Sequence, residues 1–278
     1  MTYADNGVSQ CSTISFQNMA ISFLFFYLLF TLQFHSVWSA ATQQQGAMCD
    51  LVAAFNFGRY YNWECDTDGV PSTDVCTWQQ VGCDSESVVI SLGGFSDDDF
   101  LYGTIPTTIG ELTGLSYFNI SDAYLWSGDD IIPSTIGSLT NLQVFAFHKV
   151  GLEAPLPTTM GLLTNLQILD MSDNYLNDQL PTFIGELVSL QVLDISKNYF
   201  TGTIPTEIGY LSNLQILDMN YVYRLSGSIP TAIGQLTDLQ VFDLSGSNRI
   251  SGALPSEMGL LSSLQILDIS NNYYMTGS

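Results

Sequence analysis

Five aspartates recur at one register of this chain: Asp170, Asp194, Asp218, Asp243 and Asp268, each 24 or 25 residues from the next. If successive copies stack as neighbouring strands, their carboxylates fall about 5 Å apart. That is the separation of the acid pair in a retaining glycosidase. Such chemistry needs a cleft that gives the two acids different environments. Equivalent acids on an open surface have none, and in water neighbours at about 5 Å repel by under about 1 kcal/mol. The row reads instead as a negative stripe that meets basic groups of a partner and sets on-rate and specificity. Other catalysts are missing from the sequence. His35 falls in the leader and His148 is the only other histidine, so no Ser-His-Asp or Cys-His set assembles. There is no glycine-rich phosphate loop. No catalytic residue, cofactor or metal site is expected, and the acidic runs Asp97-Asp98-Asp99 and Asp129-Asp130 read as solvated loops.

The elements that must position the aspartates belong to a repeat. Its marker, Ile/Leu-Pro-x-x-Ile/Met-Gly-x-Leu-x-x-Leu, places prolines at 106, 133, 157, 181, 205, 230 and 255, with spacings of 27, 24, 24, 24, 25 and 25 residues. One such unit cannot bury its own apolar residues, so neighbours must stack over one continuous core. In Leu166-Gln167-Ile168-Leu169-Asp170-Met171-Ser172-Asp173-Asn174-Tyr175-Leu176 the two-residue alternation of a short strand sends Leu169 and Met171 inward. Ile168 and Asp170 then lie on the opposite, concave side. Asn174 turns inward to satisfy backbone groups of the bend, as do Asn198 and Asn272. Ala123, Val222 and Ser247 stand at that position elsewhere, so those turns need another solution. Proline sets φ for a tight helical turn on the convex side. The glycine four residues on, such as Gly185, lets the backbone turn back.

Stacking turns each surface position into a row. Beside the aspartates, preceded by Asn119 and Ala146, run Gln143, Gln167, Gln191, Gln215, Gln240 and Gln265, and a third row of Ser172, Ser196, Ser245 and Ser270. Thr107, Ser134, Thr158, Thr182, Thr206, Thr231 and Ser256 follow the prolines on another face. Two places break the regularity as tuned binding sites do: Phe147-His148-Lys149-Val150 and Asn220-Tyr221-Val222-Tyr223-Arg224. Tyr221, Tyr223 and Arg224 are of the kind that anchor interfaces. Asn119-Ile120-Ser121 is a glycosylation sequon at the concave position of the first full repeat.

Five Lys/Arg against 27 Asp/Glu give a net charge of −22 over 278 residues. This excludes nucleic acid and anionic lipid surfaces, which need a basic footprint. Residues 19–41 read as a cleaved secretory signal: an apolar run from Ile21 to Leu32, then small residues Ser39, Ala40 and Ala41. No Lys or Arg precedes Arg59, and Met19 is an alternative start. Cys11 leaves with the leader. Cys49, Cys65, Cys76 and Cys83 then form an even set ahead of the repeats, a disulfide-stapled cap whose pairing spacing alone does not choose. A zinc site is a poor alternative, since no C-x2-C knuckle is present.

The Ser/Thr-Gly-x-Ile/Leu-Pro segments (Thr201 to Pro205, Ser226 to Pro230, Ser251 to Pro255) resemble plant-type leucine-rich repeats, found in polygalacturonase-inhibiting proteins and receptor-like kinase ectodomains. Cys76-Thr77-Trp78-Gln79-Gln80-Val81-Gly82-Cys83 resembles that family's C-x-W-x-G-V-x-C cap, with Gln80 in place of glycine. The resemblance implies disulfides Cys49–Cys65 and Cys76–Cys83, with Trp78 packed over the first repeat. It also implies that Gln167, Asp170, Gln191, Asp194, Gln215 and Asp218 match the concave positions that bind partners in the inhibitors. The segments Asp130 to Pro133, Glu153 to Pro157 and Asp178 to Pro181 lack the glycine, which puts the usual second sheet in doubt there.

The reading is an α/β repeat solenoid: a right-handed leucine-rich-repeat superhelix with a parallel concave β-sheet and a convex side of 3-10 or short helical turns. Residues 1–41 are the leader, 42–87 the cap and 88–278 the repeats, seven Ile/Leu-Pro units with the last cut short. A further Ile-Pro is due beyond Ser278, so a fragment is expected. The expected function is recognition of a basic protein or peptide on the concave face, by a molecule secreted or displayed on the outer face of the plasma membrane. A membrane is involved only through an uncleaved leader or an anchor past the chain end. The alternative is a surface for ice or polysaccharide built on the Thr/Ser row.

Overall fold

The computed structural model describes residues 42–55, 62–93, 103–122 and 132–276. The leader, Ala123, Asp97-Asp98-Asp99 and Asp129-Asp130 lie outside them. The chain divides into units of residues 1–43 and 44–278, the second of which holds the sheets. The α-helical residues 44–55 and a 3-10 turn at Val75–Thr77 belong to the cap. The strands are β1 (Val81–Cys83), β2 (Val89–Gly93), β3 (Tyr117–Asn119), β4 (Val144–Ala146), β5 (Ile168–Asp170), β6 (Val192–Asp194), β7 (Ile216–Asp218), β8 (Ser226–Gly227), β9 (Val241–Asp243), β10 (Arg249–Gly252), β11 (Ile266–Asp268) and β12 (Tyr274–Met275).

Two sheets result. The longer has nine strands in the order β1-β2-β3-β4-β5-β6-β7-β9-β11, antiparallel only between β1 and β2. The shorter is parallel, β12-β10-β8. From β2 onward, the chain passes through a five-residue 3-10 turn between consecutive long-sheet strands, Thr182–Glu186 being typical. Pro181 precedes it at φ −74°, and the Leu187 N–H closes it onto the Ile184 carbonyl. The inward side chains meet as the alternation requires: Leu166, Leu169 and Met171 have no exposed surface, nor do Leu190, Leu193 and Ile195 one coil on. Both expected disulfides form, Cys49–Cys65 and Cys76–Cys83, with Cα atoms 5.8 and 5.6 Å apart. Trp78 is buried, and its ring stacks on Trp63 of the cap at 5.4 Å.

The marker glycine has a different task from the one its sequence context indicates. It does not adopt a positive φ. It permits close approach: a Cβ on Gly185 would stand 2.5 Å from the Glu207 carbonyl oxygen of the next coil. Gly185→Ala is therefore expected to cost about 2 kcal/mol, the range of overpacking in a close-packed core. Gly259→Ala, at the last coil with nothing within 4 Å, should leave the denaturation midpoint unchanged or raise it. Equal effects of the two substitutions on urea midpoints would refute this assignment.

Gly161 departs from the pattern, because the residue facing it is Phe183 where other coils carry Thr, Ala or Glu. Here the shorter sheet also fades. Gly202, Gly227 and Gly252 take φ of 77°, 78° and 81°, which suits glycine. The Glu153 to Pro157 segment lacks such a residue, and Pro155 has no N–H for a ladder. Pairing dwindles to bridges, Thr203 with Ser226 and then Gln179 with Thr201. An open groove of about 870 Å³ lies there, lined by Leu156, Leu176, Leu180 and Phe183 among others.

Candidate functional site

The solvent side of the long sheet is built from rows in strict register. Asn119, Ala146, Asp170, Asp194, Asp218, Asp243 and Asp268 pair in that order across β3, β4, β5, β6, β7, β9 and β11. Two residues earlier a second row runs parallel: Tyr117, Val144, Ile168, Val192, Ile216, Val241 and Ile266. These side chains are half-buried or exposed, Ile168 at 36% and Ile216 at 37%. The glutamines stand one residue before that row. Their backbones tie the coils together: the Gln191 carbonyl accepts the N–H groups of Gln215 at 2.8 Å and Ile216 at 3.0 Å. The face thus joins an apolar stripe to an acidic one. Sequence reasoning missed the stripe as a unit, although an Ile or Val stands just before the Leu or Phe of β4, β5, β6, β7, β9 and β11.

Each aspartate has a structural duty. Oδ1 accepts the backbone N–H two residues on: Asp170 from Ser172 at 3.0 Å, Asp194 from Ser196 at 2.9 Å, Asp218 from Asn220 at 3.0 Å, Asp243 from Ser245 at 2.8 Å and Asp268 from Ser270 at 2.9 Å. The carboxylate closes the turn that ends the strand, as local side-chain-to-backbone bonding by Asp does. Asn119 does the same with its amide oxygen, accepting from Ser121 at 2.8 Å, while its Nδ2 donates to the Tyr117 hydroxyl.

The acids are not equivalent, contrary to the open-surface picture. Burial pushes Asp194 up, against the bonds from Ser196 that favour its charged form. Burial raises Asp218 to about 6, opposed by the Asn220 N–H and reinforced by Asp194, Asp243 and Asp170. Asp268 has a strand on one side only, and hydrogen bonds from Ser270 hold it below the usual range. Mid-sheet packing removes water from a carboxylate while placing two others beside it.

The serine row is also corrected. Ser172, Ser196 and Ser245 are buried in the turns, and Ser270 alone of the four is exposed. His148 occupies the row's position before Ser172. Its Nδ1 lies 2.8 Å from Ser172 Oγ and its Nε2 4.0 Å from Asp122 Oδ1. The structure therefore does bring together a Ser, a His and an Asp. They do not make a nucleophile: Ser172 is 4% exposed and its hydroxyl donates to Asp170 at 2.5 Å, so its proton is not available to His148. Lys149 Nζ meets the same Asp122 oxygen at 3.7 Å.

Tyr221 and Tyr223 leave the sheet face for the turns beyond the strands. Tyr221 takes φ 51°, with Gly246 leaving space beside its ring. Tyr223 joins Tyr199 and, through it, Tyr175. Ser247 supplies the alternative to an inward asparagine: its hydroxyl donates to the Met219 carbonyl at 2.9 Å and accepts the Val222 N–H at 3.1 Å. Among the described residues, no group of three or more His, Cys, Asp or Glu is placed to hold a metal ion. None of their helices is long and apolar enough to cross a membrane.

A family described as a leucine-rich repeat region matches residues 100–224 and 169–271. The solved structure of PEPR1-AtPEP1 is similar, at 29% identity and a TM-score of 0.72 over 82% of this chain and 31% of the other. The leucine-rich-repeat ectodomain of the plant membrane receptor kinase GASSHO1/SCHENGEN3 from Arabidopsis thaliana, in complex with CASPARIAN STRIP INTEGRITY FACTOR 2, has 30% identity and a TM-score of 0.64 over 74% and 24%. This chain thus spans about a third or less of those proteins. A plant ice-binding protein shares the fold at 24% identity and a TM-score of 0.59, over 83% and 86%. No curated protein matches. In-register strands, 3-10 turns, inward asparagines and the family match together establish that the chain belongs to the plant-type leucine-rich-repeat proteins.

Proposed function

We propose that this chain is an extracellular recognition module that binds a protein or peptide ligand on the solvent side of its long sheet and has no catalysis of its own. The observation that carries the proposal is the paired stripe: a row of half-buried aspartates beside a row of partly exposed Ile and Val. Apolar area supplies affinity, and the charges supply orientation and discrimination. A ligand with basic and apolar residues in alternation fits, along Gln167, Asp170, Gln191, Asp194, Gln215, Asp218, Asp243 and Asp268. Two disulfides suit an oxidising compartment. Similar solved structures are PEPR1-AtPEP1 and a plant receptor-kinase ectodomain in complex with CASPARIAN STRIP INTEGRITY FACTOR 2. Perception of an extracellular signal and inhibition of a secreted hydrolase are the two roles the surface serves, and a glycan on Asn119 would direct the ligand to later coils.

Asn119 shows that an amide can close the strand-end turn, so Asp194→Asn with Asp218→Asn removes charge and keeps geometry. The double variant is expected to bind an alternating Lys-Val decapeptide about tenfold more weakly by calorimetry, from about 1 kcal/mol or less per charge. Unchanged affinity would remove the acidic row from the mechanism. The ice or polysaccharide reading gains less support. The Thr/Ser row is exposed, but Leu162 at 57%, Tyr210 at 64% and Leu260 at 61% project from the same 3-10 turns and break the flatness such a surface needs.

A further inference from the structure

The chain has five Lys/Arg, and of the four in the described residues Lys149, Lys197 and Arg224 fall in the turns that follow long-sheet strands, while Arg249 opens β10 of the shorter sheet. Lys149 pairs with Asp122. Lys197, Arg224 and Arg249 make no ion pair among the described residues, in a protein whose acids outnumber its bases 27 to 5. Acids are absent from this edge over three successive coils: none occurs in residues 195–206, 219–237 or 244–256. The earlier turns do carry them, as Asp122, Asp173 and Asp178. Charge is therefore uneven along this edge: Arg224 and Arg249 lie on coils whose edge carries no carboxylate, and Lys197 stands beside the coil of Asp173 without an ion pair to it.

The same edge carries an aromatic stack. Tyr175, Tyr199 and Tyr223 directly follow the inward position of successive coils, with ring centroids 6.2 and 5.3 Å apart, and Tyr221 lies 6.2 Å from Tyr223. Tyr175, Tyr221 and Tyr223 are 49%, 44% and 41% exposed. Arg224 is the extra residue of a 25-residue coil, and its guanidinium carbon sits 5.5 Å over the Tyr199 ring. Cation–π contact at that distance holds the planar fork in place without neutralising it.

We propose that this turn edge, from Lys197 to Arg249, binds an extended acidic segment of a protein partner. An arginine fork takes a carboxylate through two parallel hydrogen bonds, and Tyr with Arg is the composition of interface anchors. A polysaccharide fits less well. The tyrosine faces are turned on one another and on Arg224, which leaves less open ring face for a sugar to lie on. The Asp row stands on the long-sheet strands, three residues before Lys197 and six before Arg224 and Arg249 in their coils. The inference is independent of the sheet-face reading, because it uses other residues and the opposite sign of charge.

The test is fluorescence anisotropy on the full chain with a labelled decapeptide of alternating Glu and Gly, and with polygalacturonate as the second probe. The chain should bind the peptide, more weakly as salt rises. Lys197→Gln with Arg224→Gln should weaken it about tenfold, in line with losing hydrogen bonds to charged groups. Asp194→Asn with Asp218→Asn should bind it at least as well as the unaltered chain, which separates this surface from the sheet face. Lys197 and Arg224 are both exposed, and circular dichroism checks that their double variant folds. Peptide affinity equal to that of the unaltered chain in the Lys197/Arg224 variant would overturn the proposal. Variant-sensitive capture of polygalacturonate without capture of the peptide would overturn it in favour of an acidic polysaccharide.

Discussion

Asn198→Leu is expected to destabilise the fold by about 3 kcal/mol, the largest single effect outside the disulfides. The side chain has no exposed surface. Its Nδ2 donates to the carbonyls of Met171 at 2.8 Å, Ile195 at 3.1 Å and Ser196 at 3.0 Å, and its Oδ1 accepts the Leu176 N–H at 3.1 Å. Met171 and Leu176 belong to the previous coil, so one amide ties two coils and closes a bend. Leucine is nearly isosteric but leaves buried backbone groups unpaired, each costing about 1–3 kcal/mol before relaxation. Asn272 is the internal control. It donates to Leu244, Ile269 and Ser270, but its Oδ1 has no partner among the described residues. Asn272→Leu should therefore cost clearly less. Equal shifts in denaturant midpoint for the two variants, or a loss below about 1 kcal/mol for Asn198, would show that the buried amide does not hold the coils.

Asp218→Asn is expected to raise stability at pH 7.5 by about 1 kcal/mol, the shift being discounted for solvent screening of a half-exposed group, and to change it little at pH 4. Burial first, and neighbouring carboxylates next, lift the folded value of Asp218 from 3.8 to about 6. An acid whose folded pKa exceeds its unfolded one binds more protons folded than unfolded between those values. Stability therefore rises as pH falls from about 6 to about 4, and is lost as pH rises through 6. Asparagine keeps the turn-closing acceptor, as Asn119 does, and carries no charge to desolvate. The melting temperature should thus increase on mild acidification in the unaltered chain, and the Asp218→Asn variant should show less of that slope. A slope of opposite sign, or one indifferent to the substitution, would contradict the burial of Asp218. The same titration bears on binding: a basic ligand should be held less tightly below about pH 6, when Asp218 takes up a proton.

Coil-to-coil architecture was legible before any coordinates because it is written locally and repeated. Leu166, Leu169 and Met171 go inward and Ile168 outward by alternation alone. Proline marks each 3-10 turn, and a missing glycine at Glu153 to Pro157 foretells the gap in the shorter sheet. The paired cysteines came by resemblance to a known cap and were met in the structure. What each row does required the third dimension. Asp170 and Asp268 sit in the same local sequence, yet one has strands on both sides and the other on one. Gly185 is shaped by the Glu207 carbonyl, 22 residues away. His148 finds Ser172, and Arg224 finds Tyr199, across one coil of spacing. One turn of chain determines which residues are apolar, bent or turned inward. Burial and charge coupling belong to the contact between turns, because a side chain's solvent is replaced by neighbours a whole repeat away in sequence.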